Sequence, residues 1–154
     1  MIEKYKARIV ELGPMQKNTS TLVGNLLSDP PEPPTLASEE YQDFHLITVG
    51  QALHQLPNDF GKCLAKLLRP GGVLYVQDLL DDGHHQGTET TRPRGLTLDE
   101  LRSVMSGAGL IDCRFEVLPD ELEIELPSEE VLKVRYFVAR AMKPKVKRQP
   151  IPVH

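Results

Sequence analysis

Residues 44–78 read FHLITVGQALHQLPNDFGKCLAKLLRPGGVLYVQD, and this stretch predicts a strand, a helix and a second strand in succession. The run 44–50 is almost continuously apolar, which is typical of a strand buried on both faces of a parallel sheet. Residues 57–68 repeat their apolar side chains at helical spacing and end in a Pro-Gly-Gly turn. The apolar run 73–78 then predicts a second buried strand, so the two strands should pair in parallel through a right-handed crossover.

The segment before this stretch predicts three further pieces. Residues 2–12 carry apolar side chains at helical spacing and should form a helix. Residues 21–24 (TLVG) predict a short strand. Residues 28–40 contain four prolines and several acids, which favours a loop.

The segment after it begins with a helix-start signal. Thr97 stands three residues before Glu100, which is the spacing of a capping box, and the helix should end near Gly107 and Gly109. The remaining pattern alternates with a period of two and predicts a long hairpin of antiparallel strands at one edge of the sheet. The alternating residues are Cys113, Phe115 and Val117, then Leu122, Ile124 and Leu126, then Val134, Tyr136 and Val138.

Length and composition indicate one globular domain. The chain has 154 residues, of which 40% are apolar and 26% charged, and a formal net charge of -4 that disfavours nucleic-acid binding. We expect a domain over residues 1–142 and a basic, proline-containing tail over 143–154. Cys63 and Cys113 lie outside any metal-type spacing, which is typical of free thiols in a reducing compartment. The sequence shows no signal peptide or membrane span, so we expect a cytoplasmic protein.

The two segments DFHLITVGQALHQLP and LLRPGGVLYVQDLL resemble the fourth and fifth strands of class I S-adenosylmethionine-dependent methyltransferases, especially small-molecule relatives of the quinone and sterol type. RGLTLDELRSVMSGAGL is similar to the family's next helix and VRYFVARAMKP to its last strand. MIEKYKARIVELG and TLVGNLL are similar to the helix after its second strand and to its third strand. The resemblance implies an α/β, truncated Rossmann-like methyltransferase fold: a mostly parallel sheet with helices on both faces and a C-terminal antiparallel hairpin.

The sequence departs from this family at the cofactor motif. The family begins with a strand, a Gly-rich Glu/Asp-x-Gly-x-Gly-x-Gly turn, and a second strand that ends in an acid for the ribose hydroxyls. This sequence contains neither segment. The resemblance therefore implies only a remnant of the cofactor site, formed by Asn25, Leu26, Gly50 and Gln51. We expect no tight binding of S-adenosylmethionine to a single chain, because several contacts of about 1.5–3 kcal/mol each are missing.

The missing strands also affect the sheet. The family orders its strands 3-2-1-4-5-7-6, so the loss of strands 1 and 2 leaves the strand at 44–50 with an unpaired, apolar edge. Either the strand at 21–24 moves in beside it or a second chain covers it. If a second chain covers this edge, the protein is a dimer, and we expect a homodimer for this reason.

Two residues at the predicted carboxyl end of the sheet are candidate catalytic groups, because open α/β sheets bind ligands there. His54 follows the first strand of the quoted stretch and could transfer a proton, and Asp78 ends the second strand and could pair with it. The alternative for His54 is a turn histidine bonded to backbone. The alternative for Asp78 is a helix cap.

Other polar residues are candidates for substrate binding. Gln51, His54, Arg92 and Arg94 could contact a small-molecule substrate, the two arginines by holding an anionic group, although surface charge explains the arginines equally well. Tyr75 could line a pocket but is more typical of core. The pair His84-His85 lies in a polar loop without further ligands at metal spacing, so we expect no metal site.

Three functions are compatible with this pattern. The first is an enzyme that keeps the scaffold and binds a small apolar substrate without S-adenosylmethionine, guiding a cyclisation or isomerisation by orientation and acid/base assistance. The second is a genuine methyltransferase whose site is completed by a partner chain, or whose gene model is truncated. The third is a non-catalytic interaction subunit. None of them involves nucleic acid or a membrane.

Overall fold

A computed structural model describes residues 22–28, 31–81, 83, 95–125 and 131–145. Several predicted features fall outside these ranges: the helix over 2–12, the pair His84-His85, the two arginines Arg92 and Arg94, and most of the basic tail.

The described chain contains six strands and two α-helices. The strands are β1 (Phe44–Gly50), β2 (Leu68–Leu79), β3 (Ile111–Val117), β4 (Leu122–Glu125), β5 (Val131–Val134) and β6 (Tyr136–Met142), and the helices are α1 (Phe60–Leu67) and α2 (Leu98–Gly107). Short 3-10 helices occur at Pro34–Ala37, Glu39–Tyr41 and Leu53–Gln55.

Four strands form one sheet in the order β1-β2-β6-β3. β1 and β2 run parallel, whereas β6 is antiparallel to both β2 and β3. This arrangement confirms the α/β class with a C-terminal antiparallel hairpin, and it is the 4-5-7-6 order that the resemblance implies. The parallel part is confined to β1 and β2. The predicted long hairpin is divided, since β4 and β5 form a separate two-stranded sheet.

The Pro-Gly-Gly turn lies within β2 and not ahead of it, because β2 already pairs with β1 at Leu68. The register then shifts before the next pair, which absorbs the turn. Gly71 adopts φ +79, a left-handed conformation that favours glycine. At Gly72 a Cβ would lie 2.7 Å from the backbone oxygen of Phe44, so a side chain there would push the two strands apart. Both glycines are therefore required by the geometry.

α2 begins at the predicted capping box. Thr97 Oγ1 accepts a hydrogen bond from the Glu100 amide at 3.1 Å, and the Glu100 carboxylate accepts one from the Thr97 amide at 2.9 Å. These reciprocal bonds satisfy amides that the first helical turn leaves without partners. The sequence prediction of this helix start is confirmed.

Both described helices pack on the same face of the sheet, and the largest fully buried side chains of the core lie between them and the strands: Phe137, Leu68, Leu74, Leu101, Met105 and Val76. On β6 the core side chains are Phe137, Ala139 and Ala141, while Arg140 is exposed. The expectation of helices on both faces stays a prediction, because the helix expected over residues 2–12 lies outside the described ranges.

Three predictions for the strands were wrong. β1 is not buried on both faces: Leu46 is 55% exposed and the strand's burial alternates, because no described element covers its second face. Tyr75 is exposed on β2, not core, for the same reason. Residues 22–24 of the predicted strand at 21–24 are not in a strand, and the nearby bridge joins Asn25 to Glu32.

β1 forms one edge of the sheet, because in the described part of the chain it pairs with β2 alone. Among the described residues nothing pairs with the outer edge of β1, and no charged residue or proline follows Phe44 within the strand to block pairing. Beside it, Leu46 and Tyr41 line an apolar groove of about 310 Å³. We propose that a second copy of the chain covers this edge.

Replacing Leu46 with lysine should weaken self-association, because a charge at an exposed edge position opposes strand pairing. Light scattering coupled to size-exclusion chromatography would measure this as a shift toward the monomer mass. The matched control is Val131→Lys. The side chain of Val131 is 59% exposed, and it lies on β5, which belongs to the separate two-stranded sheet and not to the sheet that β1 edges. A wild-type chain that is monomeric at high micromolar concentration would contradict the dimer.

Candidate functional site

The turn after β1 places His54 at the carboxyl end of the parallel pair. Gln51 leaves the strand with φ +52, and its amide donates a 2.8 Å hydrogen bond to the Gln77 carbonyl of β2. The chain then forms the 3-10 helix Leu53–Gln55, in which the buried Leu53 anchors the turn to the core. His54 is consequently held next to the end of β2.

The carboxylate of Asp78, near the end of β2, accepts hydrogen bonds from His54 in this turn. The Asp78 side chain is 0% exposed, and its carboxylate accepts three hydrogen bonds. One oxygen accepts from the His54 ring nitrogen Nδ1 at 2.5 Å and from the Leu79 amide at 2.8 Å; the other accepts from the His54 amide at 3.1 Å. A buried carboxylate is costly unless it is bonded in this way. The structure thus brings together the two residues predicted as a pair. Because His54 lies in the 3-10 helix Leu53–Gln55, its amide bond to Asp78 also satisfies a donor in the first turn of that short helix.

The two neighbours of the His54 ring fix its tautomer. The Gln55 side-chain amide nitrogen lies 3.1 Å from His54 Nε2, and an amide nitrogen can only donate. Nε2 therefore accepts, and Nδ1 carries the proton that it donates to Asp78. The imidazole side chain is 6% exposed, with its lone pair directed at a side chain that is itself exposed. A histidine oriented by a carboxylate with a basic Nε2 is suited to proton abstraction.

A second polar contact crosses the same end of the sheet. Gln51 Nε2 donates to the hydroxyl of Tyr136, the first residue of β6, at 3.3 Å. Burial, and then the negative charge of Asp78, raise the pKa of Tyr136, so that its hydroxyl stays protonated at neutral pH. Sequence analysis did not single out Tyr136 as a functional residue, because its alternation with Val134 and Val138 indicated only a strand.

The structure does not gather the four residues predicted as a cofactor remnant. Asn25 uses its side-chain oxygen to accept from the Leu27 amide at 2.9 Å. Leu26 packs against the core and lines the groove with Phe44, at the amino end of β1. Gly50 and Gln51 lie at the opposite, carboxyl end. Leu26 therefore lies near the start of β1 and the pair Gly50 and Gln51 at its end, and the role of the four residues as a cofactor remnant stays a prediction.

The predicted substrate arginines Arg92 and Arg94 lie outside the described residues. The uncovered face of the sheet carries other arginines, in a shallow cleft of about 220 Å³ beside Tyr75. There Asp112 accepts from Arg114 Nε at 2.9 Å and from Arg140 at 2.8 Å. The hydrogen bond from Arg114 is the main cause of the lowered pKa of Asp112. Both cations are already paired, so the cleft does not form an anion site.

Within the described ranges, no three histidine, cysteine or acidic side chains are placed to hold a metal ion. No helix in that part of the chain has the length and apolar character needed to cross a bilayer. The two cysteines, Cys63 and Cys113, are free thiols, and burial raises the pKa of Cys113.

Replacing Asp78 with alanine should lower the free energy of unfolding by about 3 kcal/mol or more, because it leaves two buried amides and the ring nitrogen of His54 without their acceptor. Urea unfolding followed by circular dichroism would measure the loss. The control is Asp59→Ala, which removes an exposed ion pair with Lys62 and should leave the unfolding midpoint unchanged. Equal midpoints for the two variants would show that the Asp78 contacts do not stabilise the fold.

No protein-family model matches the sequence, and no curated protein matches it. Solved structures do match the fold. A protein of Nostoc punctiforme assigned as an O-methyltransferase superposes with a TM-score of 0.54 at 18% sequence identity, over 91% of this chain and 40% of that one.

Two weaker matches have TM-scores below one half. Phosphoethanolamine N-methyltransferase 2 of Haemonchus contortus, solved with S-adenosyl-L-methionine, gives 0.48 at 10% identity over 66% of this chain, and the cyclase SpnF gives 0.43 at 18% identity over 71%. The chain spans 34% of the length of the Haemonchus enzyme and 53% of SpnF. The likeness to the Nostoc punctiforme protein concerns the fold alone. Together with the strand order β1-β2-β6-β3, it shows that this chain has a class I methyltransferase-like fold.

Proposed function

We propose that the chain acts on a small, largely apolar organic molecule at the carboxyl end of β1 and β2, with His54 as the group that accepts and returns a proton. The observation that carries this proposal is the contact between His54 Nδ1 and the fully buried carboxylate of Asp78. It fixes the ring and leaves Nε2 as the basic atom. Such a pair lies where open α/β sheets bind their ligands.

Access to Nε2 requires a small change. The atom is bonded to the side chain of Gln55, which is exposed, so a substrate can take its place without disturbing the core. The residues that flank the pair, Leu53 and Leu79, are both buried. An apolar surrounding strengthens the electrostatic effect of each polar contact in the site. It also favours an apolar substrate over a charged one.

The reactions that suit this arrangement are isomerisations, dehydrations and cyclisations. They need an oriented substrate and one proton transfer, and they need no methyl donor. A single positioned base contributes about 100- to 10,000-fold to such a step. Among the described residues, His54 is positioned to be this base.

Methyl transfer is the second candidate, because the fold is shared with methyltransferases. In that case His54 would take the proton from an acceptor hydroxyl, and further residues would hold S-adenosylmethionine. A partner chain could provide them. The remnant residues Asn25, Leu26, Gly50 and Gln51 stay a prediction for that site.

A chromogenic carbon acid tests His54 directly. Nitrobenzisoxazole opens when a base removes its ring C–H proton: the electron pair forms the nitrile, the N–O bond breaks, and a coloured cyano-nitrophenolate is released. We expect the wild-type chain to accelerate this opening over buffer, and His54→Ala to lose at least about 100-fold of the rate. Absorbance of the phenolate measures it.

The control for this experiment is His45→Ala. His45 is an exposed histidine on β1, so the variant should keep the wild-type rate. If His45→Ala and His54→Ala lose the same fraction of activity, the rate comes from surface histidines and the proposed base is wrong. A wild-type chain no faster than buffer, with His54→Ala still folded, would favour a non-catalytic protein.

Titration calorimetry with S-adenosylmethionine separates the two candidates. We expect the single chain to show no heat of binding at micromolar donor, because the described residues supply no complete cradle. Binding in that range, weakened by Gln51→Ala and unchanged by Asp59→Ala, would establish the methyltransferase alternative. The second variant is a suitable control because the side chain of Asp59 is exposed and pairs with Lys62.

A further inference from the structure

Tyr136 is the other buried polar group at the end of β2 whose role the fold does not explain. It is 5% exposed and packs against Leu79 and Val134. Its register partner on β2 is Leu79, the residue after Asp78. Its backbone carbonyl accepts a hydrogen bond from the Leu118 amide at 2.8 Å. The hydroxyl is thus carried to the site by a well-anchored strand.

The hydroxyl of Tyr136 accepts one hydrogen bond, and it can also donate one. Gln51 Nε2 donates to the hydroxyl oxygen, which leaves the hydroxyl proton free for another acceptor. Within the described part of the chain no acceptor meets it. Buried hydroxyls normally have a partner for each donor, so an unused donor at a site needs an explanation.

Gln51 is held in place for this contact. The φ of Gln51 is +52, which is uncommon for a residue other than glycine. Its backbone amide donates a 2.8 Å hydrogen bond to the Gln77 carbonyl, and this bond holds Gln51 in that conformation. The side chain of a residue anchored in this way orients the Tyr136 hydroxyl, and it does so across the end of β2. The contact joins β1 to β6 over 85 residues of sequence.

We propose that Tyr136 donates its hydroxyl proton, as a hydrogen bond, to a substrate oxygen that becomes negative when His54 removes a proton, and that the substrate class is therefore an enolisable carbonyl compound. This inference rests on the proposed function of His54. It adds a second catalytic residue and narrows the chemistry from any acid/base reaction to proton transfer next to a carbonyl.

The step balances without any co-reactant. The C–H bond beside the carbonyl breaks, the proton goes to Nε2 of His54, and the electron pair moves onto the carbonyl oxygen to give an enolate. Tyr136 stabilises that oxygen and keeps its own proton. Return of the proton from His54 to a different carbon completes an isomerisation, with no net change in oxidation state.

The geometry also restricts the binding mode. Tyr136 is the register partner of Leu79, the residue after Asp78 on β2. Paired residues share a face and successive residues alternate between faces, so the side chains of Asp78 and Tyr136 lie on opposite faces of the sheet. A molecule that contacts both His54 and Tyr136 must lie across the carboxyl end of β2. This is the crevice expected for open α/β sheets, and it excludes a ligand that lies flat on one face.

Two probes test this role in the full chain. The first is the opening of nitrobenzisoxazole, whose leaving oxygen becomes a phenolate. We expect Tyr136→Phe to lower the His54-dependent rate about 10-fold or more, because one donor to the developing charge is lost. Tyr75→Phe is the matched control, since this tyrosine is exposed on β2, and it should keep the wild-type rate.

The second probe is binding of nitrophenolate, an enolate mimic, compared with uncharged nitrobenzene. Tyr136→Phe should weaken the binding of nitrophenolate about 10-fold and leave the binding of nitrobenzene unchanged. A merely structural role of Tyr136 would not produce this difference. If Tyr136→Phe does not fold, Gln51→Leu serves instead, because this exposed side chain orients the hydroxyl, and it should weaken nitrophenolate severalfold.

The outcomes separate the two proposals. A His54-dependent rate that Tyr136→Phe leaves intact, with nitrophenolate binding equal to wild type, overturns the role of Tyr136 and keeps that of His54. A wild-type chain without any His54-dependent rate overturns the proposed function. In that case selective loss of nitrophenolate binding in Tyr136→Phe would still identify Tyr136 as a ligand-binding residue.

Discussion

The buried carboxylate of Asp78 is the constraint on which the site depends. A carboxylate removed from water is expensive unless hydrogen bonds replace its hydration, and this one accepts three. Two of the donors belong to His54, its amide and its ring, so the charge can be satisfied only if the turn after β1 closes onto β2. The end of the parallel pair, the position of the histidine and the tautomer of its ring are therefore consequences of one buried group.

The same end of the sheet is joined a second time through Gln51. Its backbone amide donates a hydrogen bond to Gln77 of β2, and its side chain donates one to Tyr136 of β6. The residue that follows β1 is therefore bonded to both β2 and β6. Proton transfer requires groups held within a fraction of an ångström, and elements of a rigid sheet provide this better than free loops. The arrangement gives the chain a preorganised group of polar side chains at this end of the sheet, which is the group that the proposed acid/base role uses.

Local patterns predicted local structure well, and long-range contacts escaped them. The capping box at Thr97 is confirmed, because its hydrogen bonds join residues three apart. The apolar run of β1 was misinterpreted as doubly buried, because a sequence of apolar residues does not tell whether anything covers the second face. Tyr75 was misplaced for the same reason. The pairing of His54 with Asp78 was foreseen from their positions at the ends of parallel strands, whereas Tyr136 was not, since its proximity to Gln51 depends on a register that no local pattern encodes.

A fold shared with methyltransferases does not by itself decide the chemistry, because one scaffold supports many reactions. The positions of the side chains are more informative. Leu26 lines the groove that also includes Phe44, Leu46 and Ile47, whereas Gly50 is the last residue of β1. A donor site built from both would have to extend along β1 toward its carboxyl end. The histidine, its carboxylate and the buried tyrosine instead converge on the end of β2. The contacts of these three side chains, between His54 and Asp78 and between Gln51 and Tyr136, are the reason for proposing proton transfer as the chemistry of this chain.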